Sequence, residues 1–286
     1  MKAAQHILAC IDGSAVTESV CSYAAWYAKR LTVPVGLLHV IDVPASSRRN
    51  LSGSIGMNSR QMLLAELTEI DEQRAKVANS YSNALVEDAK SYIESQFAVS
   101  VDVYQRHSKL LPAIEHFRSK NRAIVMGRRG EDHKNSRINI GSQIETVARA
   151  SSIPIVICSE PFIEPRSYMI AFDASKTAIT AVQWVAKSEA LKGLQGHIVM
   201  IGNHDESSKN SLAAAVAQLM AAGLAMTAHH LPHADAVDGL LGFQLDHQID
   251  IIVIGAYGRS KWQHLFLGST TTEIIASTLS PVILVR

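Results

Sequence analysis

The chain has 286 residues, enough for two domains that each bury a core. Hydrophobic residues make up 47% and charged residues 19%, a balance that fits α/β domains and excludes a disordered or fibrous chain. A formal charge of +1 gives no electrostatic argument for nucleic acid or an anionic membrane surface, and no apolar run approaches the roughly 20 residues of a bilayer span. The first apolar run meets Asp12 too early for a secretory signal, so a cytoplasmic location is expected. Cys10, Cys21 and Cys158 form no CxxC pair and read as buried thiols of a reducing compartment. From the N-terminus, strands are predicted at 6–12, 34–41, 99–105, 122–127 and 154–158. Helical spacing fills 16–31, 60–97, 110–120 and 142–150. Runs such as AIVMG and PIVIC are continuously apolar, as strands covered on both faces are. The polar stretch 42–60 reads as a loop or mobile flap. Segment 60–97 is long and charged, with Leu63, Leu64, Leu67, Ile70, Val77 and Tyr81 at helical intervals. A link near 159–167 holds two prolines and no helical pattern. Strands follow near 167–173, 197–202, 225–231, 250–255 and 281–285, with helices near 177–191, 208–222, 235–247 and 269–278.

The second half repeats the first. ILACIDGS (7–14) matches YMIAFDAS (168–175), setting Asp12 over Asp173 and Ser14 over Ser175. SSIPIVIC (151–158) matches TLSPVILV (278–285), with Pro154 over Pro281. The offset falls from 161 at the first strand to 128 at the fourth, so the first copy carries 33 extra residues between its second and fourth strands. Two domains are expected, 1–159 and 166–286. Alternating strands and helices imply a parallel sheet with right-handed crossovers. Ligands of such sheets bind beyond the carboxyl ends of the strands, where strand order reverses. Asp12 and Asp173 lie at that end, as do the glycine loops after each fourth strand. They share one crevice in each copy if strands one and four are neighbours.

The glycine loops carry the chemistry. The second copy reads Gly255, two residues, Gly258, nine residues, then Gly268-Ser269-Thr270. Glycines let the backbone approach a ligand, and a helix opening at Gly-Ser-Thr offers free N–H groups, a positive dipole end and two hydroxyls to a phosphate. Asp173 suits a ribose or a metal, and Ile201 suits a base. No lysine follows the last glycine, so this is not a P-loop. Spacing alone leaves a plainer reading open, in which the glycines only make turns and Ser269 only caps a helix. The first copy reads Gly127, two residues, Gly130, ten residues, then Gly141-Ser142, through the charged RRGEDHKNSR.

The Asp-x-Ser after strand one, HVID (39–42), both glycine runs and the closing Ser-Pro strands together resemble the universal stress protein family in its tandem two-domain form. The resemblance covers nearly the whole chain, twice and in order. It implies an α/β fold of two Rossmann-like (adenine nucleotide alpha hydrolase-like) domains, each a five-stranded parallel sheet of order 3-2-1-4-5 flanked by helices. The second copy resembles the ATP-binding branch, with ATP and Mg²⁺ as the implied cofactors. Nucleotide-binding residues there would be Asp173, Ile201, Gly255, Gly258, Gly268, Ser269 and Thr270. Their first-copy counterparts are Asp12, Val40, Gly127, Gly130, Gly141 and Ser142. That copy departs from the pattern by its longer, charged loop. It either binds phosphate with help from Arg128, Arg129 and Lys134 or serves as a structural domain. A stress-response or regulatory role follows from the resemblance, with slow or no hydrolysis, since the loop offers no evident general base. The two domains are expected to pair as an intramolecular pseudo-dimer through their last strands, with a homodimer also open. The alternative function is a scaffold that binds an apolar ligand or a protein partner without nucleotide chemistry.

His229, His230 and His233 cluster in sequence, but strand alternation sends His229 and His230 to opposite faces, so no shared metal is expected. His39 and His107 read as structural histidines or pocket lining. Tyr257 and Trp262 would cover a nucleotide or a partner, or simply pack in their loop.

Overall fold

The computed structural model describes residues 5–41, 57–128, 142–202, 205–232, 234–256 and 269–286, with side chains for all of these except 57–65 and 142. Among the described residues ten strands form one sheet. The first copy supplies β1 (His6–Ile11), β2 (Val35–Val40), β3 (Val101–Arg106), β4 (Asn121–Gly127) and β5 (Ile155–Cys158). The second supplies β6 (Ser167–Ala171), β7 (Gln195–Ile201), β8 (Met226–Leu231), β9 (Ile251–Gly255) and β10 (Val282–Val285). The sheet order is β3-β2-β1-β4-β5-β10-β9-β6-β7-β8, so each copy has the expected order 3-2-1-4-5. All pairings are parallel except β5 with β10, where Val156 faces Ile283 in antiparallel register.

Among the described residues eight α-helices cover the two faces. Strand alternation divides them, because successive side chains point to opposite sides. Ile7, Ala9 and Ile11 lie on the side covered by α1 (Thr17–Leu31), α2 (Met57–Phe97), α5 (Lys176–Lys187) and α6 (Glu206–Ala221). Leu8 and Cys10 face α3 (Leu110–His116), α4 (Ser142–Ala150), α7 (Ala236–Asp246) and α8 (Ser269–Ser277). Each hydrophobic cluster runs through both copies. The predicted helix 177–191 is broken: α5 stops at Lys187, and Glu189–Leu191 is a 3₁₀ turn. That turn seats against α1, where Arg30 donates to the carbonyls of Ala190 and Lys192. Residues 57–60, expected in the flap, are instead the first turn of α2, and 42–56 lie outside the described residues.

Strand registers locate the length difference. The copies are offset by 161 on strand two and by 125 on strand three, so the first copy is 36 residues longer there. It is three residues shorter between strands three and four, which leaves the net 33. Most of the surplus is α2, with 41 residues against 16 in α6. The link packs on the first copy. Phe162 meets Tyr23 edge-on at 4.8 Å and Phe97 at 5.9 Å, and Ile163 N donates to the Tyr23 hydroxyl. All three cysteines are buried and free. Burial pushes the Cys10 and Cys21 thiols up to about 12, which keeps them protonated and unreactive.

Candidate functional site

Strands one and four are neighbours in both copies. Cys10 aligns with Met126, and Ala171 aligns with Ile254. In the second copy Asp173 therefore stands just past β6 at the end of the sheet where β9 finishes with Gly255. Ile201 closes β7, the neighbour on the other side of β6. Crossover from β9 to its parallel neighbour β10 starts α8 at the same end, so Ser269 and Thr270 open over this edge, both exposed.

Local chemistry shapes each group. Asp173 is exposed, and its Oδ1 accepts from Ser175 N at 2.9 Å, tightening the turn into α5. Ser175 caps α5 by accepting from Ala178 N at 3.2 Å. Ala174 between them holds a left-handed φ of 61°, matching Gly13 at 81° in the first copy. Gly255 has an ordinary φ. A methyl there would run into the Thr177 carbonyl, so the glycine lets β9 meet the first turn of α5. This is a packing reason for Gly255, different from the close ligand approach expected of it. Ile201 is half-buried and packs beside Gly239 of α7, whose added Cβ would meet it at 3.0 Å. The first turn of α8 holds no acidic residue, so no carboxylate of its own competes for its N–H groups and positive dipole end. Gly258 and Gly268 lie outside the described residues, as do Tyr257 and Trp262.

The first copy has the same frame and different contents. Asp12 Oδ1 accepts from Ser14 N at 3.0 Å and from its hydroxyl at 2.6 Å. Val40 and Gly127 end β2 and β4, both half-buried. Glu145 occupies the first turn of α4, where a carboxylate complements the dipole and opposes an anion. Arg128 is committed elsewhere: it donates to the carbonyls of Ile275, Ala276 and Thr278 at the carboxyl end of α8. Gly130, Gly141, Arg129 and Lys134 lie outside the described residues, as does the side chain of Ser142. His39 is buried with Nδ1 at 2.6 Å from the Ser82 hydroxyl of α2. His107 lines a cavity of about 430 Å³ with Arg106, Ser108 and His116 beside the end of β3.

The histidines of the second copy part as alternation requires. His230 Nε2 lies 2.9 Å from the Gly202 carbonyl. His229 Nε2 meets His197 Nδ1 at 3.0 Å, under a stacked Phe243–His247 pair at the carboxyl end of α7. Burial, then the neighbouring imidazoles His229 and His247, hold His197 below the usual histidine value. Burial and His247 do the same to His229. Sequence reasoning missed this trio because His197 and His229 sit on different strands. The signal was their shared position on one face of paired strands. His233 lies outside the described residues. Among the described residues no group of three or more His, Cys, Asp or Glu is arranged to hold a metal ion.

The model of the universal stress protein family matches residues 3–159 and 198–286. The chain belongs to that family. The interval between the two matched segments holds β6 and Asp173, so their placement rests on the internal repeat and the sheet. A universal stress protein of Synechocystis is 30% identical over 99% of this chain and 100% of its own length. A crystal structure of a universal stress protein from Archaeoglobus fulgidus matches at TM-score 0.66 and 20% identity, covering 98% of this chain and 96% of that one. The fold is therefore the family's, across both copies. A shorter Archaeoglobus fulgidus universal stress protein, solved in complex with dAMP, covers 42% of this chain and 97% of its own at 22% identity and TM-score 0.34. No described helix is long and apolar enough to cross a membrane.

Proposed function

We propose that this family member binds ATP with Mg²⁺ at the carboxyl end of its second half-sheet and acts in the cytoplasm as a nucleotide-responsive stress or regulatory protein. The observation that carries this reading is the convergence of Asp173, Ile201 and the acid-free start of α8 at one sheet edge, around adjacent β6 and β9. Asp173 would meet the ribose and Ile201 the adenine. Gly255, Gly258 and Gly268 would line the ribose and phosphates, and Ser269 and Thr270 would donate to the phosphates. A single exposed carboxylate suits Mg²⁺, which keeps most of its shell as water and phosphate oxygen. Bound metal would add charge neutralisation at the phosphates. No described group is poised as a general base, so hydrolysis is slow or absent.

The first copy is the structural partner in this reading. Its Arg128 is spent on α8, and Glu145 sits where a phosphate would need bare N–H groups. We take 1–159 and 166–286 as the two domains, joined as an intramolecular pseudo-dimer. The antiparallel pairing of β5 with β10 supports this. Thermal unfolding with and without ATP and Mg²⁺ tests the assignment. A rise in the midpoint is expected for the wild type and for Gly141→Val, and none for Gly268→Val. No shift with any adenine nucleotide at millimolar concentration would overturn the reading in favour of a scaffold without nucleotide chemistry.

A further inference from the structure

Helix α2 does two different things along its length. At 1.5 Å per residue its 41 residues span about 60 Å. Its carboxyl-terminal part docks on the sheet through Ser82, Val86, Ala89 and Ile93, all buried. From 66 to 81 every side chain is exposed except Ala75 and Ala78, which are half-buried. This arm still carries apolar residues: Leu67, Ile70, Val77 and Tyr81 are 47%, 38%, 70% and 49% exposed. Together with Arg74 they recur at alternating intervals of three and four, the spacing of a helix-pairing seam. One residue, Tyr81 to Ser82, turns about 100° round the helix, so the seam and the docking face are separate stripes. The fold uses the second stripe and leaves the first largely to solvent, with only the Tyr81 hydroxyl reaching back over Gly13. Helix α6, the counterpart in the other copy, is too short to carry such an arm.

We propose that this arm pairs antiparallel with the same arm of a second copy of the chain. Charge selects that occupant. Of the charged residues from 66 to 81, only the acids Glu66 and Asp71 border the seam, and only the cation Arg74 lies in it. Antiparallel pairing centred near Glu72 sets Leu67 of one copy on Val77 of the other. It also brings Arg74, which lies in the seam, beside Asp71 of the mate, while Glu69, Glu72 and Lys76 point away from the contact. Parallel pairing would set like charge on like. The contact is isologous about a two-fold axis, so it closes at two chains. It is independent of the nucleotide site.

Sedimentation velocity of the full chain at micromolar concentration tests this. A dimer is expected for the wild type. The Leu67→Glu, Val77→Glu variant should be monomeric, with self-affinity reduced at least about 100-fold and far-UV circular dichroism of the folded domains retained. Arg74→Glu should weaken the dimer, and adding Asp71→Lys should restore it. A monomeric wild type, a Leu67→Glu, Val77→Glu variant that still dimerises, or charge reversal without rescue would overturn the proposal. Capture of a monomeric wild type by anionic lipid vesicles would also overturn it, assigning the seam to a membrane surface.

Discussion

Two glycines at the sheet edges illustrate how differently a missing Cβ is used. Gly13 needs its left-handed φ of 81°, and a methyl there would meet the Tyr81 hydroxyl, the far end of a side chain that can swing away. Gly255 has no conformational need, but a methyl would meet the Thr177 carbonyl, which is backbone at the start of α5 and cannot yield. Ala174 shows that the Gly13 corner tolerates a Cβ, since it holds φ of 61° in the same place. Gly13→Ala is therefore expected to cost about 1 kcal/mol and Gly255→Ala about 2–3 kcal/mol. Urea unfolding of the two variants checks the order, and equal costs would contradict the packing role of Gly255. Histidine titration belongs to this scale too. His197 and His229 have folded values below their ordinary 6.5, His197 from burial and the imidazoles of His229 and His247, His229 from burial and His247. His6 shifts the same way, mainly by burial. On acidification the unfolded chain then takes up protons first. Stability is intact above pH 6.5 and falls as the pH drops below it toward the folded values. The thermal midpoint should decline across that window, and His197→Gln with His229→Gln should flatten the decline without abolishing it, because His6 remains. A wild-type midpoint that holds or rises below pH 6.5 would contradict this.

At the scale of elements the sequence was legible wherever period alone decides structure. Apolar runs such as IVIC and VILV can only be strands covered on both faces, and β5 and β10 are buried along their whole length. The net 33-residue surplus was legible as a number, and most of it as the helix expected over 60–97, which α2 bears out. What was not legible is that its apolar positions switch stripe at Tyr81 and Ser82, which separates the docked part from the exposed arm. The crevice was legible as two halves, an aspartate after strand one and a glycine loop after strand four. Their union needed the β6–β9 pairing, which no local pattern encodes. The commitment of Arg128 was hidden for the same reason. It lies in an Arg-Arg pair that looks like phosphate chemistry, yet its acceptors are carbonyls 147 to 150 residues away in the chain. A helix carboxyl end attracts a cation as well as a phosphate does, and only the tertiary fold decides between them.

The molecule as a whole behaves as one sheet with two cores rather than as two beads. Val156 and Ile283 pair across the junction, and both hydrophobic clusters run through it. Polar ties flank the paired strands. Arg128 of the first copy holds the end of α8, Ser159 donates to the Leu279 carbonyl at 2.6 Å, and Arg286 reaches the carbonyls of Arg149 and Ser151 at the end of α4. Separating the copies would strip β5 and β10 of one ladder each and expose their edges. Neither half can unfold without that loss, so the two should melt together. Calorimetry of the full chain is expected to show one transition whose calorimetric and van't Hoff enthalpies agree for a single chain in the monomeric Leu67→Glu, Val77→Glu background. Arg128→Ala should lower that single midpoint, at a cost of about 1–3 kcal/mol, without splitting it. ATP bound to the second copy should then raise the melting of both. Two resolved transitions, with only one moved by nucleotide, would mean that the junction is weaker than its strand pairing and shared cores imply.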